Sequence, residues 1–216
     1  MDIENILIVT GGNIDIKLLD AFIQDNHDLY IIGVDKGVCA LHSLNISPDF
    51  VVGDFDSAGE KVKLLYTDKE NALCLQTEKD YTDTHVALLE ALKFKPKHIY
   101  MIGATGSRID HVMANISLLK LALREGVEAY IIDGNNRIRM IDKYCRIESC
   151  EAYGKYISCI PFSDTVTGIT LKGFKYPLDN ATMIKDDSLG ISNELREEEG
   201  HISIDSGYLL VMETKD

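Results

Sequence analysis

The sequence predicts an α/β fold: an N-terminal domain over residues 1–133 built on a parallel sheet, then an all-β domain over residues 134–216. Two observations predict it. Across the first part, short Val- and Ile-rich runs alternate with segments of helical apolar spacing, the pattern of strands joined by crossover helices. From about Gly134 the helical periodicity stops. Short runs are then punctuated by Gly, Asp, Asn and Pro, as in strands joined by turns.

Taken in order, residues 5–10 (Asn-Ile-Leu-Ile-Val-Thr) form a continuous apolar run ending in Gly11-Gly12, as in a strand covered on both faces. Ile16, Leu19, Ala21, Phe22 and Ile23 fall near helical spacing. Residues 29–34 read as a second strand with Asp35 at its C-terminal end, and 38–44 as a short helix. Phe50, Val51 and Val52, bounded by Pro48 and Gly53, read as a third strand. A helix over 61–66, a strand over 73–76 and a polar loop over 77–81 follow. Next come a helix over 83–92, a strand over 98–102, a helix over 112–124 and a strand over 129–133. This alternation predicts a Rossmann-like sheet, in which ligands bind outside the carboxyl ends of the strands. In the second domain, runs at 137–141, 156–161, 166–171 and 201–204 predict a sandwich or barrel, with 202–204 and 208–212 joined as a hairpin through Asp205-Ser206-Gly207.

The chain of 216 residues is 45% hydrophobic and carries a net charge of −13. Such a balance argues against nonspecific nucleic-acid binding, which Lys and Arg drive. No apolar run has a membrane helix's length and the start lacks a basic signal, so a cytoplasmic protein is expected. The five cysteines are scattered, with no Cys-x-x-Cys, which predicts neither a disulfide framework nor a zinc site.

Polar residues gather where parallel strands end. Asp35, then Asp54 and Asp56, then Asp80 and Asp83, then the Gly-rich stretch 103–111 each follow a different predicted strand. Asp54 and Asp56 alternate around Phe55, which puts both carboxylates on one side of an extended segment. Such a pair suits a hard divalent cation, and it equally suits an Asp-rich turn with Ser57 capping the next helix. Thr82 and Asp83 have the same double reading, as helix N-cap and first turn or as part of a site. In Gly103-Ala-Thr-Gly-Ser-Arg-Ile-Asp-His111, the glycines permit close backbone approach and Arg108 offers a planar fork to phosphate oxygens. Asp110 and His111 read as a helix cap and its neighbour, His111 being an ordinary packed or exposed histidine.

Pro48-Asp49 through Gly53-Asp54-Phe55-Asp56-Ser57, Lys79-Asp80-Tyr81-Thr82-Asp83 and Gly103 through Asp110-His111, in this order, resemble the thiamine pyrophosphokinase family. In the C-terminal part Ser192-Asn193 resembles the family's Ser-Asn pair near the thiamine pyrimidine, and 173–178 (Gly-Phe-Lys-Tyr-Pro-Leu) resembles a further segment. Two departures stand out: Asp35-Lys36-Gly37 where Asp-Gly-Gly is usual, and the absence of Trp, so that an aromatic flanking thiamine would be Tyr or Phe. The resemblance implies pyrophosphoryl transfer from ATP to thiamine, giving thiamine diphosphate and AMP. It implies Mg²⁺ on Asp54, Asp56 and Asp83, with Asp83 close to the attacking hydroxyl and Asp35 and Asp80 on the same acidic rim. Gly103, Thr105, Gly106, Arg108 and Asp110 would hold the nucleotide, and Ser192 and Asn193 thiamine. It also implies a homodimer with sites shared between subunits. Rival readings are a pyrophosphokinase for another heteroaromatic alcohol, such as a hydroxymethylpterin, and a noncatalytic nucleotide or thiamine sensor.

Overall fold

The first apolar run forms β1 (Asn5–Val9), buried along nearly its whole length, as a strand covered on both faces must be. The structure, a computed structural model, describes residues 3–53, 71–74 and 80–216. The chain divides into two units, Met1–Gly134 and Asn135–Asp216.

In the first unit β2 (Leu29–Val34), β3 (Phe50–Gly53), β4 (Ala72–Cys74), β5 (His98–Ile102) and β6 (Glu128–Ile132) join β1 in parallel pairs, in the order β6-β5-β1-β2-β3-β4. Four helices are described: α1 (Ile16–Asp25), α2 (Lys36–Ser43), α3 (Asp83–Leu92) and α4 (Ile109–Arg124). Side-chain caps start two of them. The Asp15 carboxylate accepts from the backbone N–H groups of Lys17 and Leu18 at the head of α1, and the Thr82 hydroxyl accepts from that of His85 at the head of α3. The expected helix over 61–66 and the ends of the expected strand and loop at 75–79 lie outside the described residues.

α4 begins earlier than its apolar pattern predicts. Its cap position is Arg108, without a side-chain cap bond, and Asp110 lies in the first turn. Neither Asp110 nor His111 is therefore the cap; an acidic residue one step inside the helix is favoured by the dipole without closing its end.

The strand order reverses at β1. The chain leaves it toward β2 on one side, while β5 pairs on the other. A reversal of strand order is where an open parallel sheet leaves a crevice at its carboxyl edge.

Every strand pair within the second unit is antiparallel. β7 (Asn136–Ile141), β9 (Tyr156–Pro161), β12 (Asn193–Glu194) and β14 (Leu209–Thr214) run in the order β12-β9-β14-β7. β8 (Tyr144–Glu148), β10 (Thr165–Lys172), β11 (Leu178–Ile184) and β13 (Glu199–Ser203) form a separate sheet, β11-β10-β13-β8. One core receives both. Ile157, Leu209 and Val211 enter it from the first set, and Ile147, Val166, Ile169, Met183 and Ile202 from the second.

The expected hairpin over 202–212 does not form. β13 pairs with β10 and β8, whereas β14 pairs with β7 and β9, so Asp205-Ser206-Gly207 carries the chain from one sheet to the other. Ser206 bridges to Thr167 on the way. Local alternation specifies that a strand forms; its partner is chosen by burial of the two inner faces. β8, β11 and β12 were not expected, β11 because only Met183 along it is fully buried and no apolar run advertises it.

A charged cluster lies inside the second unit. Glu213 is completely buried, 2.6 Å from Arg137, whose Nε also donates to it, and it accepts from the Tyr153 backbone N–H at 3.0 Å. The thiols of Cys145 and Cys159 are buried and those of Cys39 and Cys150 exposed; burial pushes the Cys159 thiol up to about 12. No helix among the described residues is long and apolar enough to cross a membrane.

Candidate active site

The crevice at the carboxyl edge of the first unit opens into a cavity of about 730 Å³. Thr10, Gly11, Gly12 and Asn13, which continue β1, form one wall. Residues 103–108, which continue β5, lie against them. The Gly12 N–H donates to the Gly103 carbonyl at 2.8 Å and the Asn13 N–H to that of Thr105 at 2.7 Å. Backbone meets backbone so closely that a Cβ on Gly12 would collide with both carbonyl oxygens, which is why glycine stands there.

Asp35 and Lys36 line the cavity at the end of β2. Asp35 holds φ 48° and ψ −120°, a conformation that costs a residue with a Cβ about 1–3 kcal/mol. Its backbone is fixed on two sides, with its N–H donating to the Val52 carbonyl and its own carbonyl accepting from Val38. Its carboxylate packs over the Cα of Gly53, where any side chain would strike Oδ1. The residue before Asp54 is thus held beside Asp35; Asp54 and Asp56 themselves lie outside the described residues.

Thr82, Asp83 and Thr84 bring the head of α3 to the cavity. The hydroxyls of Thr84 and Thr10 hydrogen-bond at 2.8 Å, both side chains buried, tying α3 to the end of β1 directly beside Asp83. Asp80 is exposed and is not among the lining residues. His111, Val112 and Asn115 complete the wall from α4, and Asn115 Nδ2 donates to the Ala104 carbonyl at 2.7 Å.

Arg108 also lines the cavity, but Asp110 does not. The two form an exposed bidentate pair, Nη2 to Oδ2 at 2.6 Å and Nε to Oδ1 at 3.2 Å. That bond lowers the Asp110 carboxyl to about 2 and raises the Arg108 guanidinium. Asp110 orients Arg108 rather than facing the cavity. Of the sequence-derived nucleotide group, Gly103, Thr105, Gly106 and Arg108 thus come together, and Asp110 stands behind Arg108. Among the described residues no three metal-ligating side chains converge.

Sequence reasoning missed Gly12, Asn13, Thr10, Thr84 and Asn115. A signal existed for the first two: Gly-Gly-Asn directly follows the strand at which the order reverses.

The description "Thiamin pyrophosphokinase, catalytic domain" matches residues 24–131, and "Thiamin pyrophosphokinase, vitamin B1 binding domain" matches residues 144–209. The thiamine pyrophosphokinase of Bacillus subtilis is 37% identical over 99% of this chain and 100% of its own length. The chain belongs to the thiamine pyrophosphokinase family. Crystal structures of the thiamine pyrophosphokinases of Bacillus subtilis and Geobacillus thermodenitrificans superpose with TM-scores of 0.88 and 0.84, at 36% and 33% identity. They cover 99% and 98% of this chain and 100% and 98% of their own.

The two C-terminal segments that resemble thiamine pyrophosphokinases meet in the second unit. Asn193 is buried, and its amide spans the backbone of Tyr176, Oδ1 accepting from the N–H at 3.0 Å and Nδ2 donating to the carbonyl at 2.8 Å. Phe174 bridges to Leu195, and Lys175 pairs with Glu194 at 3.0 Å. Ser192 is exposed at φ 58°, its N–H donating to the Ser158 hydroxyl. The structure thus gives Asn193 a backbone-holding role and leaves the Ser192 side chain outward. Asp49 from the first family motif also holds structure: its carboxylate accepts from the Ile31 N–H at 2.7 Å, fixing β2 to the start of β3.

Proposed function

We propose that this chain transfers a pyrophosphoryl group from ATP to the hydroxyl of thiamine, giving thiamine diphosphate and AMP. The observation that carries the reading is the cavity at the reversal of strand order, which joins carboxylates to a Gly-rich loop in a member of this family. The thiamine oxygen attacks the β-phosphorus, the bond between that phosphorus and the α,β-bridging oxygen breaks, AMP leaves with the bridging oxygen, and the hydroxyl proton is released to solvent. Two demands follow: donors for the phosphate oxygens and a fixed acceptor hydroxyl.

Gly103, Thr105 and Gly106 offer the triphosphate a close backbone approach, and Arg108, aligned by Asp110, adds a cationic fork. Asp83 aligns the thiamine hydroxyl by accepting its hydrogen bond. Its place in the first turn of α3 is steadied by the Thr82 cap and the Thr10–Thr84 pair. Asp35 and Asp80 extend the acidic rim, which suits the positive thiazolium ring. Ser192 and the segment held by Asn193 bind the thiamine pyrimidine.

The donor set fits Mg²⁺, a hard cation that takes carboxylate oxygens and leaves room for phosphates. Asp83 lines the cavity, and Asp35 packs against the residue before Asp54, so Asp54, Asp56 and Asp83 would hold it. Held there, it would supply positive charge against the phosphate oxygens. We further read the first unit as a Rossmann-like catalytic domain and the second as a sandwich that binds thiamine, in a cytoplasmic homodimer with shared sites.

Single-turnover analysis tests the reaction. AMP should form one-to-one with thiamine diphosphate, and a hydroxymethylpterin in place of thiamine should consume no ATP. ADP with thiamine monophosphate would overturn the mechanism, and turnover of the pterin would overturn the substrate.

A further inference from the structure

Asn115 is 7% exposed yet lines the cavity from the second turn of α4. One bond sets the orientation of its amide, because the Ala104 carbonyl only accepts and so must face Nδ2. Oδ1 therefore points away from Ala104. Among the described residues Ala104 is the amide's one hydrogen-bond partner, and Oδ1 is not among the sealed, unpartnered atoms of the interior. A buried polar side chain thus retains an acceptor whose open side is the cavity.

The kind of ligand atom follows from that acceptor. A carboxamide oxygen repels phosphate oxygens and calls for an O–H or N–H. Ala104 lies between Gly103 and Thr105, in the loop assigned to the nucleotide, so the donor belongs to the nucleoside part of ATP, a ribose hydroxyl or the exocyclic amine. We propose that Asn115 is a nucleoside-binding residue that also positions the phosphate loop: Nδ2 pins the loop at Ala104 while Oδ1 accepts a hydrogen bond from the bound nucleoside. This rests on the reading of the cavity as the ATP site.

The test is binding calorimetry without thiamine, using ATP, 2′-deoxy-ATP, 3′-deoxy-ATP and the triphosphate of purine riboside, which lacks the amine. Wild type, Asn115→Ala and Asn115→Asp are compared, each shown folded by its thermal melt. One analogue should bind wild type about tenfold more weakly than ATP, the worth of one hydrogen bond. Asn115→Ala should bind ATP at least about tenfold more weakly and no longer distinguish that analogue. Asn115→Asp keeps an acceptor but turns a carboxylate oxygen toward Ala104, so it should bind more weakly overall and still discriminate. That pattern is one a merely structural role would not produce. Equal discrimination by wild type and Asn115→Ala, or no discrimination by wild type, would overturn the proposal. Thiamine diphosphate formation by wild type is scored separately. Discrimination without turnover sinks the reaction and leaves the Asn115 contact standing, whereas turnover with equal discrimination in both proteins sinks only the contact.

Discussion

The two units handle polar residues in opposite ways. In the first, parallel strands deliver every strand-to-helix connection to the same edge, so Thr10, Asp35, Asp83 and Arg108, far apart in sequence, line one cavity. In the second, antiparallel strands send successive connections to alternate ends, and the buried polar groups serve the fold: Glu213 holds Arg137, and Asn193 holds the Tyr176 backbone. Parallel topology concentrates chemistry without any local motif, whereas antiparallel topology disperses it. Asp35, Asp83 and Arg108 in the first unit are thus readable as one site from their positions after strands.

The largest effect that would break this contrast lies in the first unit. Asp54→Asn or Asp56→Asn should lower kcat by about a thousandfold or more, the scale of losing an electrostatic group at developing charge, with the melting temperature unchanged or higher without metal. Near-normal turnover of both variants at saturating Mg²⁺ would remove them from the site.

Next in size is a test of whether the second unit contributes side chains to a partner's cavity. An Asp83→Asn protein mixed with a Ser192→Ala, Asn193→Ala protein should regain about a quarter of wild-type activity, since half of randomly exchanged dimers carry one intact site of two. Absence of recovery after demonstrated exchange would mean that each chain carries a whole site.

Glu213→Gln sharpens the structural half. Removing one partner of a buried pair should cost about 3 kcal/mol, read by denaturant unfolding. A loss below about 1 kcal/mol would class the cluster with surface ion pairs.

The smallest effect concerns Asp110. Its carboxyl is depressed from the usual 3.8 to about 2 by Arg108, so the pair persists above pH 4 and is lost only as pH falls through about 2. Carboxyl NMR should give a midpoint near 2, and Asp110→Asn should raise the ATP KM only about two- to threefold, as expected of an exposed partner. A midpoint near 3.8 would break the assignment of Asp110 as the group that orients Arg108.

This contrast also governs how far the sequence could be read. Alternating runs and helices sufficed to outline the parallel unit, and Asp35 and Asp83 could be assigned to one edge because each follows a strand. Asn115 was hidden because it lies inside the expected helix with no local signal of its own, and only the tertiary approach of Ala104 to α4 gives its amide a partner beside the cavity. Pairing in the second unit was hidden for a different reason. β13 and β14 are neighbours in sequence with a turn signal between them, yet each finds its partners in a different sheet. Asn193 could be picked out only by resemblance, and its burial shows that its amide serves Tyr176 before any ligand.

The distribution of thiols has a use unrelated to catalysis. Cys159, desolvated and shifted to about 12, carries almost no thiolate at neutral pH, and Cys145 is buried beside it in the core. Cys39 and Cys150 are exposed, one in each unit. With Cys74 replaced by Ser, a maleimide dye would therefore meet one accessible sulfur per unit. A donor and acceptor attached there would report the separation of the two halves as ATP and thiamine are added, with no cysteine introduced by design.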